Sequence, residues 1–264
     1  MKRIAWYRVW AVILRHFYNF YHSWDRIVDA FYWPSLDIII WGLTISALAR
    51  QGQGTVLQIS MIVSGVILWY VLWRGQYEIT VNLLEELWSG NLGNLFSTPL
   101  TLTEWTVALC ALGFLKLFLT VTFTAAVAYV LYAVNIFQLG FALIPFITGL
   151  LIMGWGFGLF IAGLFLRYGT NIQTLAWAGG FALMPFSATY YPLDSLPHWV
   201  QTVAQVLPSA YIFEGMRSVL FTGIFPADMM VKSFLLNGVF LGLALVYFIR
   251  SFRVARIKGL AHLK

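Results

Sequence analysis

Between Phe31 and Ile249 the sequence carries six hydrophobic runs: Phe31 to Ala49, Val56 to Trp73, Trp105 to Val134, Phe141 to Leu166, Ile172 to Tyr190 and Ser233 to Ile249. A crossing helix needs about 20 mostly apolar residues, because the hydrocarbon core is about 30 Å thick and every backbone polar group must find a partner inside the helix. Runs of this length and number predict an all-α polytopic membrane protein with six transmembrane helices, organised as one transmembrane domain over residues 1–264. Composition agrees, since 61% of the residues are hydrophobic and only 10% charged, against roughly 25% charged in soluble domains.

The first 28 residues are aromatic and basic, unlike a cleavable signal segment, and are expected to stay on the chain. Ile4, Tyr7, Trp10, Leu14, Phe17, Tyr21 and Trp24 fall on one helical face, with Arg8, Arg15, Asn19, His22 and Arg26 on another. That pattern predicts an amphipathic helix lying in the membrane interface over residues 1–28. Two roles fit it, a plain anchor and a gate helix collaring the cytoplasmic mouth of a pathway.

Charge sets the orientation. Lys2, Arg3, Arg8, Arg15 and Arg26 precede the first run, and Arg250, Arg253, Arg256, Lys258 and Lys264 follow the last. The positive-inside rule then places both termini in the cytoplasm together with Arg74 and Arg167, and leaves Arg50, Arg217 and Lys232 outside. The net charge of +6 is on this reading topological, suited to anionic lipid heads, and no nucleic-acid partner is expected.

Several function classes lose support. His16, His22, His198 and His262 fall outside the runs, HExxH does not occur, and Cys110 is the single cysteine, so no catalytic or metal site is expected. Gly154, Gly156 and Gly158 in GWGFG lie inside an apolar run with no strand before them. Close helix packing explains them better than phosphate binding, Gly154 and Gly158 having small-xxx-small spacing. No GxxxxGK[ST] occurs, so if ATP drives the protein another chain binds it, and no cofactor is expected in this one.

Asp37 and Lys116 are the ionisable residues expected below the interface, both toward the cytoplasmic side. They are read as an intramembrane pair, snorkelling groups or pathway-lining residues. Residues 74–104 form the cytoplasmic loop between the second and third runs. Within it Asn91 is placed to cap a short helix ending before Pro99, and Thr101 with Glu104 makes a capping box that starts the third run. Leu92, Leu95 and Phe96 form an apolar edge at helical spacing, which predicts a docking surface for another chain.

An outer segment, residues 191–231, suggests two helices, about Leu196 to Val206 and Ser209 to Phe221, broken at Pro208. The first reaches only about 16 Å, too short to cross, so a re-entrant or interfacial hairpin is expected. Glu214 and Arg217 are spaced i, i+3 and can pair, as a local salt bridge or an external gate.

GNLGNLFSTPL at residues 90–100 resembles the G-T-L-x-x-L-L-x-T-P-L signature of type-2 ATP-binding cassette exporter permeases. LPHWVQTVAQVLPSAYIFEGMRSVL resembles that family's LP-x-W...LP-x-x-Y...E-x-x-R-x-x-L hairpin. The resemblance implies a half-transporter of the bacterial plasma (inner) membrane, a homodimer driven by two separate ATPase subunits that carry the ATP and Mg. It assigns Gly90, Leu92, Leu95, Phe96, Thr98, Pro99 and Leu100 to the coupling element, and Pro208, Tyr211, Glu214 and Arg217 to the outer hairpin. Glu85 and Glu86 are the upstream charges of the coupling element, where many members carry an arginine, and Gly93 stands where many carry an acid. Family members export drugs, lipids or lipid-linked polysaccharides. An aromatic share of 18% with 12 Trp, and an amino-terminal helix resembling that of polysaccharide exporters, favour a glycan or lipid-linked glycan. A drug or lipid exporter of the same family, an ATP-independent channel or scramblase, and a membrane scaffold are the alternatives.

Overall fold

The computed structural model describes residues 4–51 and 55–260; Lys2, Arg3, His262 and Lys264 lie outside the described residues. The helices are α1 (Trp6–Tyr21), α2 (Trp24–Arg50), α3 (Val56–Trp88), α4 (Leu92–Ser97), α5 (Leu102–Tyr132), α6 (Leu143–Tyr168), α7 (Leu175–Leu183), α8 (His198–Ala204), α9 (Pro208–Thr222) and α10 (Ala227–Lys258). Short 3-10 turns join several of them, and the described residues contain no strand.

Five helices are long and apolar enough to cross a membrane: α2, α3, α5, α10 and the long helical unit containing α6. The fifth expected crossing, Ile172 to Tyr190, is different. Only Leu175–Leu183 is α-helical there, followed by a 3-10 turn over Met184–Phe186. Nine residues rise about 14 Å, less than half of a hydrocarbon core. Hydropathy alone cannot see this break, because every residue from Leu175 to Leu183 is apolar or glycine. Pro185 then removes a helix hydrogen bond.

The second difference lies on α3, which runs 15 residues beyond the expected end at Trp73 and stops only at Ser89–Gly90. Residues 74–88 are therefore helix rather than loop. No proline interrupts them, and their polar side chains are buried against protein: Arg74, Gln76, Glu78, Asn82 and Glu86 are all at most 2% exposed. α3 is the central post of the molecule, with 72% of its apolar window buried against 17% for α2 and 22% for α10. Two apolar clusters flank it. One gathers residues of α3, α5, α6 and α9 around Phe146 and Trp69, the other gathers α1, the end of α3, α5 and α10 around Trp105 and Phe248.

The glycines of GWGFG are packing residues, as expected. A Cβ added at Gly154 would lie 2.4 Å from the Leu72 carbonyl oxygen, and one at Gly158 would lie 2.9 Å from that of Gln76. α6 thus crosses α3 at backbone contact distance.

Candidate coupling surface and outer hairpin

The turn after α3 needs a left-handed residue, and Gly90 supplies it at φ 65°. Asn91 occupies the N-cap position of α4, yet its side chain does not cap the helix. Its amide instead donates to Glu86 Oε2 at 2.8 Å, tying the start of α4 to the last turn of α3. The capping box at the start of α5 forms as read: Thr101 Oγ1 accepts from the Glu104 amide at 3.2 Å, and Glu104 Oε2 accepts from the Thr101 amide at 2.9 Å.

The apolar edge of α4 packs in part against the body of its own chain, which spacing alone did not show. Leu92 is buried, and Leu95 and Phe96 pack against the second core cluster. The Phe96 ring lies 4.7 Å from that of Phe252 on α10 and 6.3 Å from Trp105. An apolar stripe on so short a helix finds its partner in the body of its own chain. The outward face consists of Asn94, Ser97, Thr98 and Pro99, and a Cβ added at Gly93 would meet nothing within 4 Å.

α1 is fastened across this element. Arg8 Nη1 donates to the Pro99 carbonyl at 2.6 Å and lies 3.6 Å from Glu104, whose other oxygen accepts from the Ala5 amide at 2.8 Å. Arg15 pairs with Glu86 at 2.6 Å, and Arg26, which lies in the first turn of α2 and not on one helix over residues 1–28 as expected, pairs with Glu85. The arginine face is therefore consumed by acids at the end of α3 and the start of α5. Val9, Val12, Ile13 and His16 face the core, while Trp6, Tyr7, Trp10, Tyr18 and Tyr21 remain exposed. Helical periodicity alone could show the two faces of α1, but not that Glu85, Glu86 and Glu104 would meet one of them.

α8 and α9 form the helical hairpin expected over residues 191–231, with Pro208 at the first turn of α9 and its carbonyl accepting from Ser233 Oγ of α10 at 2.9 Å. Tyr211 Oη donates to the Gln205 carbonyl at 2.9 Å, closing the turn between the two helices. Arg217 Nη1 reaches Glu214 Oε1 at 3.0 Å, the spacing anticipated. Arg217 also donates to the carbonyls of Ala188 and Thr189, and Glu214 accepts from the Leu193 amide at 2.6 Å. The pair thus holds the segment after α7 onto α9.

A family model described as "ABC-2 type transporter" matches residues 7–221. The chain belongs to the ABC-2 type transporter family. No curated protein matches it.

The charges buried in this ABC-2 permease are arranged differently from the Asp37–Lys116 pairing considered above. Lys116 on α5 pairs with Glu78 on α3 at 2.8 Å, and Glu78 also lies 3.5 Å from Arg74 and accepts from Asn82 Nδ2 at 3.1 Å. Asp37 on α2 instead accepts from Tyr70 Oη at 2.6 Å. The two residues do not meet because α3 stands between them with a partner for each. Arg74, Glu78 and Asn82 recur every four residues, so they share one face. That signal is readable only once the helix is known to continue past Trp73.

Beside this cluster His16 of α1 is 1% exposed, with no hydrogen-bond partner for either ring nitrogen. Burial, reinforced by the charges of Arg15, Lys116 and Arg26, holds its imidazole down to about 4 from the ordinary 6.5. The folded permease therefore carries His16 neutral, and the unfolded chain takes up the proton first. Stability should be flat above about pH 6.5 and fall as pH drops toward 4, by about 3 kcal/mol from this group. His16→Leu should reduce that slope when the thermal midpoint is followed against pH. An identical pH profile in the variant would reject the assignment.

Proposed function

We propose that this permease is the transmembrane half of an ABC exporter, a homodimer whose two ATPase subunits, carrying ATP and Mg, dock on α4. One observation carries the reading. A short helix outside the long apolar helices is tied to α3 through Glu86, to α10 through Phe96 and, at Pro99 just past its end, to α1 through Arg8, while its polar face is left outward. Such an element can pass a displacement to three others at once. The ties to α1 favour a gate helix that moves with the coupling element over a passive anchor.

Six crossings remain the topology we favour, in the plasma membrane of a bacterium, with the broken helical stretch from Gly169 to Phe186, α7 between two 3-10 turns, making the fifth. Only an even number puts the arginines of α10 on the same side as Arg8, Arg15 and Arg26. The Gly90 loop then faces the cytoplasm and the α8–α9 hairpin the outside. The cargo we propose is a polysaccharide or lipid-linked glycan. Trp41 and Tyr190 stack at 4.3 Å, and Tyr190 and Tyr191 line a cavity of about 270 Å³ beside Gln58 and Arg217. Aromatic faces with flanking polar groups suit sugar rings.

Proteoliposomes containing the purified permease–ATPase complex should move a lipid-linked oligosaccharide on addition of ATP. Glycan flux independent of ATP would point to a scramblase, and ATP-driven flux of drugs or phospholipids without glycan flux would reject the cargo.

A further inference from the structure

A groove of about 520 Å³ runs between the start of α5 and the end of α10. Its floor is apolar, made by Phe96, Leu100, Ile249 and Phe252, and its rim carries Arg253, Arg256 and Thr103. No acidic side chain lines it. Neither arginine forms an ion pair with another described residue. The nearest acid in sequence, Glu104, is occupied elsewhere by the Ala5 and Thr101 amides and by Arg8.

The positive character has a second source. α5 is 31 residues long and begins at Leu102. Its capping box satisfies the Glu104 amide, which leaves the Leu102 and Thr103 amides at the positive end of the helix without an intrahelical partner.

The exposed side of α10, to which Arg253 belongs, distinguishes a lipid from a protein surface. Along α10, Val239, Leu243 and Val246 form an exposed stripe at helical spacing. The same stripe continues through Arg250 and Arg253 to Ile257, which is 87% exposed. Arginines interleaved with bare aliphatic side chains at the end of a helix long enough to cross a membrane match the level of lipid headgroups.

We propose that this groove binds the phosphate headgroup of an anionic phospholipid, held by Arg253, Arg256, the Thr103 hydroxyl and the first amides of α5, with its upper chain carbons on Phe96, Ile249 and Phe252. The lipid then touches both the coupling element and the last helix, so lipid composition reaches the surface on which the proposed ATPase acts. The binding itself does not depend on the transport reading.

The test uses the full-length permease without any ATPase, purified, stripped of lipid and offered phosphatidylglycerol or phosphatidylcholine, with retained lipid counted by native mass spectrometry. Phosphatidylglycerol should be retained preferentially. Arg253→Gln with Arg256→Gln should weaken that retention about tenfold or more. Arg250→Gln with Lys258→Gln, which removes the same charge from the same helix end, should change it less than about twofold, and Arg253→Lys with Arg256→Lys should restore most of it. All variants should elute as the folded species. Equal losses in the two charge-removal pairs would reduce the effect to diffuse attraction and overturn the site. Competition by millimolar inorganic phosphate as effective as by the lipid would also overturn it.

Discussion

Glu78→Gln should lower the stability of the permease by about 3–5 kcal/mol, the cost of leaving a buried charge without its partner. Glu78 is 2% exposed and holds two cations, Lys116 at 2.8 Å and Arg74 at 3.5 Å. A neutral amide keeps the shape but leaves both buried cations without the carboxylate they share. Lys116→Met alone should also be costly, because it unbalances the same carboxylate. Combining Glu78→Gln with Lys116→Met should cost less than the sum of the two, whereas Asp37→Asn, whose partner is Tyr70, should add independently to either. Thermal midpoints of the solubilised variants measure this. Coupling between Asp37 and Lys116, or a loss below about 0.5 kcal/mol for Glu78→Gln, would contradict the network.

Gly154→Leu should cost about 3 kcal/mol or more. A Cβ there would stand 2.4 Å from the Leu72 carbonyl oxygen, and the obstacle is backbone, so α3 and α6 must separate rather than let a side chain turn aside. Gly242, on the exposed side of α10, meets nothing within 4 Å. Gly242→Leu should leave the thermal midpoint of the solubilised protein unchanged or raised, since leucine has the better helix propensity. Similar losses at both positions would mean that glycine matters here for flexibility and not for close approach.

What could be read from the residues differs sharply between the parts of this molecule. Capping chemistry is local, so Thr101 with Glu104 announced the start of α5. Small-residue spacing at Gly154 and Gly158 announced a close helix contact, but not that α3 would make it. Tertiary direction was hidden. The spacing of Leu92, Leu95 and Phe96 defines an edge, but α10 and α5 cover part of it, so Leu95→Asp or Phe96→Asp would damage packing as well as any docking. Hydropathy hid the rest. It ended the second run at Trp73 because charges begin at Arg74, although those charges are paired and buried, and it extended the fifth run through the break at Met184–Phe186.

The family membership and the exposed polar face of α4 together make one experiment decisive. Gly93→Trp places a large side chain in open space on α4, away from the residues that hold the helix to α1, α3 and α10. The solubilised variant should keep the thermal midpoint of the unmodified permease. A bulky ring on a docking face blocks close approach, so retention of ATP-hydrolysing activity on the purified permease should fall by about tenfold or more, and ATP-driven transport in proteoliposomes should fall with it. Full retention of that activity together with full ATP-driven transport, in a variant folded as well as the parent, would contradict docking at α4.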